Sequence, residues 1–244
     1  MRDTTAESAS GAANASGAAN ASGAASPSGA ASPSGAASPP DARQTINQKK
    51  RSFYEERSLF LGRICVRLGL TPNALTGMSF LLSIAAGVFF WQQMALWGIA
   101  FILLTMFTDV LDGATARAGN MGTPFGGILD HVVDRYGEFF ILTGITLSGV
   151  VPPVWSLAAL FSMLIASYTR AAAESIGKLE NCAVGIMGRM EKFALIMIGA
   201  ALEHYYPTQR WLEFALIIVT AASLITAVQR LVYTKRELEK RDRA

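Results

Sequence analysis

Residues 108–140 read TDVLDGATARAGNMGTPFGGILDHVVDRYGEFF, with long apolar runs on both sides. The segment carries five acidic residues and two arginines. If the apolar runs cross a membrane, these carboxylates lie at or below its surface. A carboxylate there is costly unless it is paired, hydrated or bound to a metal. Charge in this position does not serve stability, so the segment indicates a functional site.

The motif aspartates form two pairs with helical spacing. Asp109 and Asp112 lie at i and i+3 and share one helix face, and Asp130 and Asp134 lie at i and i+4 on a second helix. The break at residues 119–124 makes the two helices antiparallel neighbours, with both pairs at similar depth. Four converging carboxylates form an oxygen-only site, which suits a hard cation such as Mg²⁺ or Mn²⁺.

Eight positions of this segment follow a longer pattern, which reads Asp109-x2-Asp112-Gly113-x2-Ala116-Arg117-x8-Gly126-x3-Asp130-x3-Asp134. Without a gap, it resembles the signature of the CDP-alcohol phosphotransferase (CDP-alcohol phosphatidyltransferase) family. The resemblance covers about residues 55–235 and implies an all-α integral membrane enzyme with six transmembrane helices. It also implies transfer of a phosphoryl-alcohol unit from a CDP-linked donor to an acceptor hydroxyl, with release of CMP.

The same resemblance implies roles for individual residues. One or two Mg²⁺ ions, with Mn²⁺ as an alternative, are held on the donor diphosphate by Asp109, Asp112, Asp130 and Asp134. Asp134 also takes the proton from the attacking hydroxyl. The implied CDP-lipid contacts are Pro72, Asn73, Ala74, Leu75, Gly113, Ala116, Arg117, Thr123 and Gly126. The family is commonly dimeric, so a homodimer is expected.

The apolar runs and the basic residues predict the membrane topology. Thr71 and Pro72 suit the N-cap and the first turn of a helix. Six apolar runs follow, each near the roughly 20 residues that cross a bilayer: 73–91, 95–117, 125–148, 152–174, 190–206 and 211–233. Lysine and arginine precede the first run, surround the connection after the fourth and follow the sixth. The positive-inside rule therefore places both termini and the aspartates at the cytoplasmic face of a multi-pass cell-membrane protein.

Composition divides the chain into four parts. Residues 1–43 are a repetitive tail dominated by Ala, Ser, Gly, Asn and Pro, which predicts disorder. Residues 44–70 place apolar and basic residues at helical spacing, which predicts an amphipathic juxtamembrane helix on the lipid surface. Residues 71–235 are the predicted six-helix domain, and residues 236–244 a charged cytoplasmic tail.

The charge pattern argues against nucleic-acid binding, and the placement of the cysteines argues against a disulfide. The pI of about 9.0 follows from the basic cytoplasmic segments, and no interleaving of aromatic and basic residues indicates nucleic-acid binding. Cys65 and Cys182 both fall on the predicted cytoplasmic side, where thiols stay reduced. A disulfide is therefore not expected.

A second basic cluster bears on the acceptor. Arg170 and Arg189 flank a cytoplasmic connection, where they could bind either lipid headgroups or an anionic acceptor. The segment SYTRAAAE resembles Ser-Tyr-x-Lys-Ala-Arg-Ala-Glu of family members that use inositol phosphate, but Arg170 and Ala172 replace the Lys and the second Arg. Inositol phosphate is the preferred acceptor and glycerol phosphate the alternative, followed by inositol or serine.

Two other classes of membrane protein also place aspartates in a bilayer. A cation transporter does not need Gly113, Ala116 and Arg117 beside its carboxylates. A membrane prenyltransferase uses paired aspartate motifs with Mg²⁺, but normally on distant helices and with more than six spans. Within the resembled family, the lipid is either a diacyl or an archaeal diether form.

Overall fold

The computed structural model describes residues 58–179, 182 and 184–243, which contain helices and no strand. Residues 58–67 are the described part of helix α1. Six longer helices follow: α2 (Pro72–Trp91), α3 (Ala95–Ala118), α4 (Pro124–Leu147), α5 (Pro153–Ser175), α6 (Arg189–Tyr205) and α7 (Trp211–Asp242). Their bounds agree with the predicted runs to within one residue, except that α7 continues nine residues beyond 233. The predicted tail at 1–43 and the first part of the predicted amphipathic helix lie outside the described residues.

Four of these helices, α2, α3, α5 and α7, are long and apolar enough to cross a membrane. Helix α4 carries four charged residues in the middle of its sequence, and α6 has only 17 residues. The four apolar helices indicate an integral membrane protein.

A threonine side chain caps the N-terminus of both α2 and α4. Thr71 accepts a hydrogen bond from the Ala74 backbone N–H at 3.3 Å, and Pro72 occupies the first turn of α2. Thr123 accepts from the Gly126 N–H at 3.0 Å at the start of α4. Each cap satisfies a donor that the helix leaves unpaired. The predicted cap at Thr71 is confirmed.

Helix α2 packs against both α3 and α4, and α4 also contacts α5. Glycines allow the α2 and α4 backbones to touch, because a Cβ on Gly144 would lie 2.0 Å from the Gly87 carbonyl oxygen. A Cβ on Gly87 would likewise lie 2.4 Å from the Phe140 carbonyl oxygen. Small residues at such crossings let membrane helices approach closely. This contact fixes the position of α4 relative to α2.

The apolar core and the polar groups occupy opposite halves of the bundle. The core lies where α2, α4 and α6 end and where α3, α5 and α7 begin; its largest members include Ile102, Ile145, Met163, Ile196 and Leu216. The aspartates lie in the other half, on the last turns of α3 and the first turns of α4. Because successive helices alternate in direction, the last turns of α3 and the first turns of α4 lie on the same side of the bundle.

Candidate active site

Three carboxylates meet between α3 and α4. One oxygen each from Asp109, Asp112 and Asp130 lies within 4.8 Å of the other two. Asp112 is only 6% exposed, and its Oδ2 lies 3.0 Å from the Thr76 hydroxyl of α2, which can donate to it. We call these three aspartates the carboxylate trio. Three oxygen ligands so close together fit a hard divalent cation, and Thr76 orients one of them.

Asp134 does not belong to this group of oxygens. It contacts Arg189 of α6, whose Nη2 is 2.7 Å from Asp134 Oδ1. The same guanidinium donates through Nη1 to Asp109 Oδ2 at 2.9 Å. The sequence predicted that four carboxylates gather directly, but the structure gathers three and links the fourth through Arg189. A cation between two carboxylates offsets their mutual repulsion, which accounts for this arrangement.

Arg135 and Glu138 form a second pair of charges on α4, and Glu138 lies one helical turn beyond Asp134. Glu138 is 2% exposed and accepts a hydrogen bond from Arg135 Nη1 at 2.8 Å. Arg135 also donates to the Ser167 hydroxyl of α5 at 2.6 Å. Arg189 Nε lies 3.9 Å from the other Glu138 oxygen. The buried carboxylate thus has two cationic neighbours, as a buried charge requires.

A smaller cavity of about 200 Å³ lies on one side of the carboxylate trio and includes Asp112 and Asp130 in its wall. Six of the nine residues predicted to contact the CDP-lipid line it: Pro72, Asn73, Gly113, Ala116, Thr123 and Gly126. The structure does not place the other three there. Leu75 is buried in the bundle, and Ala74 and Arg117 are exposed outside the cavity wall.

A larger cavity of about 580 Å³ lies on the other side and includes Asp134 in its wall. Its lining has five cationic side chains, Arg135, Arg170, Arg189, Lys192 and Arg230. Three carboxylates accompany them, Asp134, Glu138 and Glu174, which leaves a surplus of two positive charges. The structure therefore brings Arg170 and Arg189 to one cavity, as the sequence predicted for an anion site.

The cations of the larger cavity differ in their partners. Arg170 donates to Glu174 Oε1 at 2.9 Å, whereas Arg230 donates to backbone carbonyls at Val184 and Ala166. Lys192 is 5% exposed, and its ammonium has no hydrogen bond or ion pair with any residue that the structure describes. This ammonium also lines the cavity.

Sequence reasoning assigned no role to Arg135, Lys192 or Arg230. Each is a charge within or beside a predicted membrane span, and such charges indicate function by default. Lys192 lies inside the predicted run 190–206, and this position was the available signal for it. Arg230 lies inside the predicted run 211–233, which was the available signal for it.

The apolar helices and the carboxylate trio define the class of protein, which is an integral membrane enzyme with a site suited to a metal ion. The sequence model of the CDP-alcohol phosphatidyltransferase family matches residues 69–231. The chain belongs to the CDP-alcohol phosphatidyltransferase family. Members of this family transfer a lipid-phosphate group from a CDP-linked donor, so the protein is a transferase of phospholipid synthesis.

Relatives and solved structures agree with this assignment. The chain is 36% identical over 180 residues to the archaetidylinositol phosphate synthase of Methanothermobacter thermautotrophicus, covering 74% of this chain and 91% of that one. It is 30% identical over 189 residues to the phosphatidylinositol phosphate synthase of Mycolicibacterium smegmatis, covering 74% and 84%.

The fold is similar to that of the Mycobacterium tuberculosis phosphatidylinositol phosphate synthase PgsA1 with CDP-DAG bound. The TM-score is 0.65 at 26% identity, covering 72% of this chain and 92% of that one. A second crystal structure of PgsA1, in complex with manganese and citrate, matches with the same score and covers 72% and 88%. A metal-bound structure in a protein of this fold supports the metal site suggested by the carboxylate trio.

Manganese binding tests the geometry of the carboxylate trio. We expect Asp112→Asn to weaken Mn²⁺ binding at least about tenfold, because it replaces a charged ligand. Thr76→Val removes only one orienting hydrogen bond and should cost about twofold to tenfold. Electron paramagnetic resonance of Mn²⁺ titrated into the purified protein measures both effects. Thr220→Val is the control, since that hydroxyl bonds only within α7. Unchanged affinity in Asp112→Asn would contradict the assignment.

Proposed function

We propose that the protein transfers the phosphatidyl or archaetidyl group of a CDP-lipid to a hydroxyl of inositol phosphate, releasing CMP. The observation that carries the choice of acceptor is the surplus of two positive charges in the larger cavity. A phosphate monoester carries about −1.5 to −2 charges near neutral pH, which matches this surplus. The volume of about 580 Å³ lies in the usual range for small-ligand sites.

Relatives support the same acceptor, since those with assigned names include archaetidylinositol and phosphatidylinositol phosphate synthases. Glycerol phosphate would match the charge equally well and is the alternative. Free inositol or zwitterionic serine, which carry no net negative charge, would leave the surplus of two positive charges unbalanced. Such unmatched charge is unfavourable in a site of low exposure.

The placement of the carboxylates suggests how the two substrates meet. Asp112 and Asp130 line the smaller cavity, whereas Asp134 lines the larger one. The donor diphosphate therefore belongs beside the trio, and the acceptor hydroxyl beside Asp134. An ion of Mg²⁺, or Mn²⁺ in its place, held by the aspartates would offset the charge that develops as CMP leaves.

In the proposed reaction, Asp134 acts as the general base. It opens on the larger cavity, and its contact with Arg189 fixes the direction of its carboxylate. As the acceptor oxygen attacks the lipid-bearing phosphorus, its proton passes to Asp134, and the bond to the CMP oxygen breaks. Arg170, Arg189 and Lys192, which line the same cavity, would hold the acceptor phosphate. Arg189 reaches both the phosphate and the base, which couples acceptor binding to proton transfer.

Asp134→Asn should abolish CMP release while CDP-lipid binding is retained, because the change removes the base but leaves the trio and the smaller cavity intact. Release of CMP from a radiolabelled CDP-lipid and equilibrium binding of the same lipid measure the two properties. Asp112→Asn is the comparison and should weaken both metal dependence and turnover. A near-normal rate in Asp134→Asn would show that another group accepts the proton.

The acceptor assignment is tested by competition. Inositol phosphate, glycerol phosphate, inositol and serine are offered with radiolabelled CDP-lipid to wild type and to Arg170→Ala and Arg189→Ala. Wild type should prefer inositol phosphate, and each substitution should weaken its use about tenfold to a hundredfold through loss of a charge-assisted bond. Arg210→Ala, at the opposite end of the bundle, is the control. Preference for an unphosphorylated acceptor, or indifference to both substitutions, would contradict the proposal.

We also infer that all six helices α2–α7 cross the membrane, with the carboxylate trio and both termini at the cytoplasmic face. The six helices alternate in direction, and the basic residues cluster at the side of the aspartates. Tags at Ala42 and Ala244 should therefore show the same accessibility when sealed vesicles are digested with protease. Opposite protection of the two tags would require an odd number of spans.

A further inference from the structure

The connection between α5 and α6 forms one wall of the larger cavity. Its described residues are 176–179, 182 and 184–188, and we call them the α5–α6 connection. Val184, Gly185, Met187 and Gly188 all line the cavity. The shape of the cavity therefore depends on what holds this segment in place.

Two arginines of α7 hold the backbone of the connection. Near its start, Arg241 Nη1 donates to the Gly177 carbonyl at 3.0 Å and Nη2 to the Lys178 carbonyl at 2.9 Å. Near its end, Arg230 Nε donates to the Val184 carbonyl at 2.9 Å. These carbonyls lie outside the helices and receive no helical hydrogen bond, so side-chain donors satisfy them.

Two further contacts between the connection and α7, at Cys182 and at Gly185, complete the attachment. Cys182 is 0% exposed, and its Sγ lies 3.8 Å from the Thr234 hydroxyl. A Cβ on Gly185 would lie 2.3 Å from Thr226 Cγ2, and the φ of Gly185 is +149°. Glycine is needed there both for the backbone conformation and for the close approach.

The contacting residues of α7, Thr226, Arg230, Thr234 and Arg241, are spaced by four, four and seven residues. They therefore follow one face of the helix. Helix α7 has 32 residues and is about 48 Å long, whereas a bilayer core is about 30 Å thick. The part of α7 that exceeds a membrane span is the part that reaches the start of the connection.

We propose that the C-terminal part of α7 positions the α5–α6 connection as a wall of the acceptor cavity, and that Arg241 is a positioning residue for acceptor binding. The inference rests on the proposed function of the larger cavity. Arg230 lines that cavity and can touch the acceptor itself, but Arg241 does not line it. An effect of Arg241 on the acceptor therefore acts through the connection.

Steady-state kinetics of Arg241→Gln test this role. The KM for inositol phosphate should rise about threefold to tenfold, because two hydrogen bonds that fix the wall are lost. The kcat and the KM for CDP-lipid should stay within about twofold of wild type, since the trio and the smaller cavity are unaffected. Arg236→Gln is the matched control, because Arg236 is exposed on the same helix and its side chain has no hydrogen bond or ion pair within the described part of the chain. Arg241→Lys, which retains a donor, should give an intermediate KM.

A second readout follows the connection itself and is independent of activity. The chain has two cysteines, so Cys65→Ser leaves Cys182 as the only thiol. Because Cys182 belongs to the connection and is fully buried against α7, its reaction with a maleimide reports release of the segment. Arg241→Gln should speed labelling of the detergent-solubilised protein, and Arg236→Gln should not.

The outcomes separate this inference from the proposed function. Faster labelling together with a raised acceptor KM supports the positioning role. Unchanged labelling, or faster labelling with an unchanged acceptor KM, overturns it. A wild-type protein that uses none of the phosphorylated acceptors overturns the proposed function instead, and the positioning role with it, whatever the labelling shows.

Discussion

The contact of Arg189 with Asp109 and Asp134 is the interaction on which the rest of the site depends. Carboxylates in a helical membrane bundle need cationic partners, and Arg189 provides one guanidinium for two of them. Because the two aspartates lie on different helices, the same contact joins α6 to α3 and α4. The first residue of α6 therefore neutralises charge on Asp109 and Asp134 and also lines the larger cavity.

Helix α2 supplies the rigid reference for this arrangement. Its backbone touches that of α4 at Gly87 and Gly144, and its Thr76 hydroxyl reaches Asp112 of α3. The two helices that carry the trio are thus both held against α2. Gly87 in one half of α2 and the Thr76 hydroxyl in the other together keep the carboxylates of α3 and α4 at a common depth.

Helix bounds and the common face of Asp109 and Asp112 could be predicted from sequence, because apolar run length and i, i+3 spacing are local properties. The position of Asp134 could not, since its partner Arg189 lies 55 residues later in the chain and side-chain pairing between distant segments leaves no spacing signal. The end of α7 was missed for another reason. The apolar run stops at 233, but Lys, Arg, Glu and Leu are good helix formers and continue the helix to Asp242. Lys192 and Arg230 were not predicted as site residues, because neither belongs to a motif and the sequence does not show that they face the same cavity as Arg170.

The small size of the cavity beside the trio has a consequence for the lipid phase. At about 200 Å³ it cannot enclose a lipid with two long chains, so in the proposed reaction the chains of the CDP-lipid stay in the bilayer. Transfer of each methylene from hydrocarbon to water costs about 0.8 kcal/mol, and extraction of a whole lipid would require that cost many times over. An enzyme that works on the head group alone avoids this barrier, and both its lipid substrate and its lipid product diffuse to and from the site within the membrane plane.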